Sequence, residues 1–326
     1  LTAIRSFAST RFTAATDAIV AWGSTDRLGR WVQVVRSLLA LGTFLTLVVN
    51  PAAILLHFPT GVVPDEYCGG VLGLGAFCVS PFDTDTTRLL LAAMCVPLLI
   101  GFLPAVTGPL HWYAAFTVAS NTLGVEGGDQ LTVNLSALLC LASFVDGRLW
   151  GWRPRRSGAD RPLSNIWVGV ILFAARLQVA YVYFEAAIVK LSNPLWSDGT
   201  AMWLWVQNGG FGATPVVSAA LQSLLAHPAV AVAATWGTIA LELFLCLTIV
   251  FASAPRRRLR LFALVCGILF HLAIAVVMGL VTFGVVMAAA LLVALHRADD
   301  PLPRRAATES APQREPETSI LNGEPR

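Results

Sequence analysis

The stretch from Asn165 to Lys190, NIWVGVILFAARLQVAYVYFEAAIVK, decides what kind of fold this chain can have. A helix rises about 1.5 Å per residue, so this stretch outspans the ~30 Å hydrocarbon core of a bilayer. Within it only Arg176, Glu185 and Lys190 are charged. The polar residues are ordered rather than scattered. Gln178, Tyr181 and Glu185 fall at i, i+3 and i+7 and share a face, while Arg176, Tyr183 and Lys190 recur every seven residues on a neighbouring strip. Such a segment is expected to cross a membrane with its polar side turned toward other protein.

The rest of the chain agrees. Of 326 residues, 56% are hydrophobic and 13% charged, about half the ~25% charge content of soluble domains. Mean hydropathy is +0.70. Apolar segments at 31–56, 88–106, 109–123, 129–146, 165–190, 229–252, 259–278 and 280–296 predict an all-α integral membrane protein, a polytopic bundle of about eight transmembrane helices. The third segment is short and carries Pro109, His111, Trp112 and Tyr113, which also suits a partly interfacial position.

The cations orient these spans. Arg5, Arg11, Arg27 and Arg30 precede residue 31; Arg148, Arg153, Arg155, Arg156 and Arg161 fill the 147–164 loop; Arg256, Arg257, Arg258 and Arg260 form a third cluster; five more arginines run from Arg297 onward. The loops 57–87, 124–128 and 191–228 contain no Lys or Arg. Basic loops stay in the cytoplasm, so eight spans with both termini cytoplasmic put every cluster inside. One span more or fewer would not. This accounts for the arginine clusters without nucleic acid, and localises the chain to a cell membrane as a multi-pass protein. Residues 1–30 contain no uninterrupted apolar core of signal-peptide length, but Ile4, Phe7, Phe12, Ile19 and Val20 suit a cytoplasmic or interfacial segment. Residues 31–297 then make up the membrane domain, and 298–326, rich in Pro, Glu, Arg and Ala, a disordered cytoplasmic tail.

Six cysteines fit this frame. Cys95, Cys140, Cys246 and Cys266 fall inside spans, where a free thiol behaves as a small apolar group. Cys68 and Cys78 fall in an outer loop around Gly69, Gly70, Gly73 and Gly75, in an oxidising compartment. A disulfide between them is expected; two free thiols on a loop is the alternative.

The chemistry-bearing candidates are polar groups at membrane depth. Asp129 and Gln130 open the fourth span on its outer side, Glu185 and Lys190 lie near the outer end of the fifth, and Glu242 and His271 lie nearer mid-bilayer. Each is explained alone by interhelical packing. Together they suggest a site. Lys190 is the only lysine among 22 basic residues, and a compact amine that can lose its proton suits a general base in a way arginine does not. Chance retention of one lysine is the competing explanation. Trp196, Trp203, Trp205 and Gly209-Gly210-Phe211-Gly212 suit a peptide-contact loop or an ordinary interfacial aromatic belt. No phosphate-binding loop, dinucleotide fingerprint, serine-hydrolase elbow or metal-ligand spacing is present, so no metal is expected.

Several phrases recur in order: His111-Trp112-Tyr113, Gly127-Gly128-Asp129-Gln130, Lys190-Leu191, Trp196-Ser197-Asp198-Gly199-Thr200-Ala201, Glu242-Leu243-Phe244, Gly267-Ile268-Leu269-Phe270-His271, Phe283-Gly284 and Leu295-His296. With the Cys68/Cys78 pair after Asn50-Pro51, they resemble the sporulation-delaying-protein B family over residues 30–297. That family carries an HTTM domain distantly related to vitamin K-dependent gamma-carboxylases. The resemblance implies a membrane component that matures or exports an antimicrobial peptide toxin, acting on a precursor peptide at the outer side with a small partner protein of the same system. A non-enzymatic chaperone or immunity protein, and a carboxylase-like membrane enzyme, are the alternatives it leaves open. The distant carboxylases place a catalytic lysine before a leucine at the outer end of the corresponding helix, which Lys190-Leu191 matches. Lys190 is then the candidate base, with Glu185 and Asp129 as acid, base or orienting groups and Glu242 and His271 as inner partners. Asp129 stands nearest the place of a carboxylase histidine that this chain does not match, and the large domain those enzymes add after their helices is not expected here. Both departures weigh against vitamin K-dependent carboxylation, and a quinone-type cofactor rests on the analogy alone.

Peptide mapping of the protein without reductant should recover Cys68 and Cys78 in one linked species. Recovery of both as alkylated thiols would contradict the bridge.

Overall fold

Asp83 starts one helix with a side-chain cap. Its carboxylate accepts from the Thr86 amide at 2.9 Å and from the Thr86 hydroxyl at 2.6 Å, capping the helix that begins at Thr84. The Thr86 hydroxyl, then its amide, hold that carboxyl below the usual carboxylate range. A computed structural model describes residues 23–56, 68–122, 126–155, 161–208, 212–252 and 256–298. The expected interfacial segment up to residue 22, the tail from 299, and Gly209, Gly210 and Phe211 lie outside the described residues.

Among the described residues the regular structure is helical. We label the helices α1 (Arg30–Val49), α2 (Ala52–Leu55), α3 (Ala76–Val79), α4 (Thr84–Leu99), α5 (Pro104–Asn121), α6 (Gly127–Ser143), α7 (Pro162–Ser192), α8 (Pro194–Ser197), α9 (Ala201–Val206), α10 (Pro215–Leu225), α11 (Pro228–Phe251), α12 (Arg257–Met278) and α13 (Val281–Leu295), with a 3-10 turn at Gly70–Leu74. Proline stands in the first turn of α5, α7, α8, α10 and α11, where its missing N–H costs nothing. Glu126 and Asp129 close the start of α6 as a reciprocal capping box. At the end of α12, Gly279 takes φ 76°, a left-handed turn that leads directly into α13.

Four of these helices, α1, α7, α11 and α12, are long and apolar enough to cross a membrane. The most apolar stretch of α12 is only 17% buried. It leaves Leu261, Phe262, Val265, Leu269, Leu272 and Val276 on the surface, an arrangement that water would penalise and hydrocarbon does not. This is the character of a multi-pass membrane protein.

The core is built around α13. Val286, Met287, Ala289, Ala290, Leu291, Val293, Ala294 and Leu295 are buried nearly all round, packed by α1, α6, α7 and α12. Small residues permit the approach. A Cβ at Gly267 would sit 2.7 Å from a Leu291 methyl, and one at Gly42 2.7 Å from Val286. A second apolar cluster joins α1, α4 and α5 through Leu47, Leu91, Cys95, Leu98, Ala114 and Val118.

The two ends of the bundle differ. At one end Asp146 bridges two arginines, with Arg36 Nη1 at 2.7 Å and Arg148 Nε at 2.7 Å. Nearby, Arg155 donates to the Val145 carbonyl at 3.0 Å and Arg260 to the Leu295 carbonyl at 3.1 Å. At the other end Cys68 and Cys78 are disulfide-bonded, with Cα atoms 5.6 Å apart. Their loop docks on α5: Tyr113 donates to the Leu74 carbonyl at 3.0 Å, and the Ala76 amide donates to Thr117 at 3.1 Å. A Cβ at Gly75 would collide with the Asn121 side chain, so glycine is required there.

Replacing Asp146 with leucine should leave two buried arginines uncompensated and lower unfolding stability in detergent by about 3–5 kcal/mol. Asp85→Ala, which removes the half-exposed pair of Asp85 with Arg88, should cost no more than about 1 kcal/mol. Thermal unfolding of both variants checks the contrast.

Candidate functional site

Helix α7 presents its heptad strip to the bundle. Arg176 Nε donates to the Ile249 carbonyl of α11 at 2.8 Å, and its Nη2 bonds the same oxygen. One repeat further, the Tyr183 hydroxyl lies 2.8 Å from His271 Nε2 of α12. Another repeat on, Lys190 Nζ donates to Glu242 Oε1 of α11 at 2.8 Å and to the Ala186 carbonyl at 3.3 Å. Each member of the strip therefore ties α7 to a neighbour. The Gln178–Tyr181–Glu185 face points elsewhere, into a groove shared with α6.

Lys190, Glu242, His271 and Tyr183 line a cavity of about 420 Å³. The rest of its wall is mainly apolar: Val182, Met202, Phe270, Ile274, Val277, Phe283 and Met287 contribute. Phe270 and Phe283 flank the His271 ring, with centroids at 5.0 and 5.3 Å. Two polar atoms here, Glu242 Oε2 and His271 Nδ1, are buried with no hydrogen-bond partner in the structure. Such groups are costly to leave empty-handed: the Glu242 oxygen would welcome a ligand's donor, and the His271 nitrogen a donor or an acceptor according to its tautomer.

A second space of about 620 Å³ lies beside the first, lined by Gln130, Asn134, Gln178, Tyr181, Glu185 and Asn193. Lys190, Val182, Ala186, Trp196, Trp205 and Gly127 line both. Lys190 thus stands at the boundary of an apolar and a polar compartment.

The phrase Trp196-Ser197-Asp198-Gly199-Thr200-Ala201 builds that boundary. Asp198 Oδ1 accepts from the Thr200 hydroxyl at 2.6 Å and the Thr200 amide at 2.9 Å. The hydroxyl, then the amide, keep the Asp198 carboxyl below its ordinary range. Gly199 turns with φ 88° and packs where a Cβ would stand 2.9 Å from Val232; its carbonyl accepts from Thr235 of α11 at 3.0 Å. The turn so anchored buries Trp196, whose ring centroid is 5.2 Å from Lys190 Nζ. Trp205 lines both compartments, while Trp203, on the same short helix, lines neither.

The structure brings together three of the five expected acid–base residues: Lys190, Glu242 and His271. Glu185 is exposed in the adjoining groove. Asp129 is apart, in the α6 capping box, and lines a different cavity with Thr46, Asn50 and Thr282. Between that cavity and the main one, Gly128 lies against Phe283, with only 3.2 Å from a would-be Cβ to the Phe283 Cα. Sequence reasoning missed the pairing of Tyr183 with His271, although the heptad spacing of Tyr183 with Lys190 carried the signal. It also missed Asp146, whose bridging of two arginines nothing at the end of the expected 129–146 span announces.

The chain is 30% identical over 282 residues to the uncharacterized protein YitO of Bacillus subtilis (strain 168), covering 84% of this chain and 88% of YitO. It is 30% identical over 264 residues to the sporulation-delaying protein SdpB of the same organism, covering 80% of this chain and 79% of SdpB. No family profile and no solved structure matches it.

Tyr183→Phe keeps the ring but strips His271 Nε2 of its partner, an unsatisfied buried group costing about 1–3 kcal/mol. Thermal unfolding should show that loss, whereas Glu185→Gln, on an exposed side chain, should stay within about 0.5 kcal/mol.

Proposed function

The chain belongs to the SdpB family, and from that premise we propose that it is a membrane component of a sporulation-delaying-protein-type toxin system, handling a precursor peptide at the outer side of the bacterial cell membrane. The observation that carries this reading is the placement of Lys190. Its ammonium is held by Glu242 at 2.8 Å, at the seam between an apolar cavity and a polar groove. A peptide laid across that seam would meet a proton-transferring pair and a set of apolar and polar walls at once. Transfer of one proton from Lys190 to Glu242 would leave a neutral amine as general base, with Tyr183 and His271 as the polar groups behind it.

We take the chain to cross the membrane eight times, through α1, α4, α5, α6, α7, α11, α12 and α13, with both termini cytoplasmic. The cation distribution supports this, as does the gathering of Arg36, Arg148, Arg155 and Arg260 at one end of the bundle. The disulfide, the tryptophan turn and Lys190 then belong to the outer end, where a small partner protein of the system could also approach.

A second reading has an observation of its own. The main cavity is walled almost wholly by apolar groups, which favours holding a peptide over transforming it, as a chaperone or immunity protein would.

Lys190→Arg separates the two. In cells where this chain is the sole SdpB-family protein, loss of the base should lower active toxin output by about 10²-fold or more. Output that survives the charge-preserving change would remove the base and leave the holding role. For the topology, a cysteine introduced by Ser223→Cys should react with an impermeant maleimide on intact cells, and one introduced by Arg153→Cys only after permeabilisation. The opposite pattern would invert the orientation.

A further inference from the structure

The groove between α6 and α7 has a composition that hydrocarbon does not tolerate uncovered. Asn134 and Gln130 stand one helical turn apart on α6, and both are exposed. Gln178 and Glu185 line the opposite wall on α7, a helix long and apolar enough to span a bilayer. Gln178 lies near the middle of Pro162–Ser192, far from either end. Among the described residues the side chains of Gln130, Asn134 and Gln178 make no hydrogen bond. A lipid tail offers such groups nothing, so water or an occupant with its own donors and acceptors must meet them.

The chemistry of the walls selects that occupant. Each carboxamide carries a donor and an acceptor on one rigid end, the complement of a peptide unit. An apolar helix satisfies its own backbone and offers the amides nothing; an extended strand has an unpaired N–H and C=O at every residue, whatever its side chains. The groove also adjoins the apolar cavity of about 420 Å³, sharing Lys190, Trp196 and Trp205 with it. A partner helix lying on the surface would leave that space empty, whereas an extended chain can place a side chain in it. There the unpartnered Glu242 Oε2 could accept a donor.

We propose that the α6–α7 groove is a track for an extended, apolar peptide, its backbone paired to Gln130, Asn134 and Gln178 and one bulky side chain lodged in the cavity behind Lys190. This rests on the reading of the protein as one that handles a precursor peptide, and names the form in which the peptide is held. The track binds backbone rather than sequence, so it accepts varied apolar segments and gives no pairing to a preformed apolar helix.

The test is photo-crosslinking of the full chain in lipid nanodiscs, with a benzophenone amino acid in place of Tyr181, which lines the groove. The same group in place of Leu163, 81% exposed at the far end of α7, reports peptide that has merely partitioned into lipid. The probe is a short biotinylated valine–leucine peptide, compared with its backbone N-methylated form, which has lost its N–H donors. Labelling at 181 and not at 163, reduced about tenfold or more by N-methylation and by the double change Asn134→Leu with Gln178→Leu, is the expected result. Equal labelling by both peptides overturns the backbone track. So does labelling of another membrane protein, or of a second copy, in place of the peptide. If the track fails while toxin output still depends on Lys190, the peptide-handling reading stands; if output ignores Lys190 while the track holds, it is the acid–base role that falls.

Discussion

Lys190 and Glu242 hold one another 2.8 Å apart, with the Glu242 carboxylate buried against a mainly apolar cavity wall. The buried carboxylate could not be placed there alone. A carboxylate or an ammonium removed from water loses several kcal/mol of solvation, which only a well-placed opposite charge restores. The pair therefore fixes α7 against α11, and with it the register of the Tyr183–His271 contact one repeat below and the Arg176–Ile249 contact two repeats below. The cavity follows from this seam. So does the groove, because the strip that turns inward forces Gln178, Tyr181 and Glu185 to face α6.

The scaffold that makes the seam affordable is apolar and close-packed. Helix α13 has no charged residue and is buried on most sides. Gly42 and Gly267 let α1 and α12 approach within side-chain contact of it. Polar work is pushed to the two ends: an arginine–aspartate knot at Arg36, Asp146 and Arg148, and a disulfide-stapled loop with the Asp198–Thr200 turn at the other. The turn is as much a part of the site as the lysine. It carries Trp196 onto Lys190 and walls off the cavity.

Much of this was legible in the sequence because lipid makes periodicity meaningful. The heptad recurrence of Arg176, Tyr183 and Lys190 defined a strip, and that strip is the buried seam. The Cys68–Cys78 spacing around glycines forecast the bond that the structure contains. The long spans over α1, α7, α11 and α12 were plain from apolar length. What the sequence could not supply was which helices are neighbours. Asp129 looked equivalent to Glu185 as an outer-side carboxylate near Lys190, yet Gly128 against Phe283 places it on the far side of a packing contact. Trp203 looked like Trp205, but a two-residue step on a short helix turns it away from the cavity. The segment 191–228 read only as a loop, and its described residues hold three short helices, α8, α9 and α10. Their lengths are too short for a periodic signal to stand out.

Lys190 and Glu242 depend on each other, and a double-mutant cycle tests this dependence directly. Glu242→Leu alone strands the ammonium and should cost about 3–5 kcal/mol in detergent unfolding. Adding Lys190→Met should restore most of that stability, because an apolar pair of similar volume suits this cavity. If the double variant instead loses as much as the two single variants summed, the two side chains act independently, and the seam on which the site depends is not there.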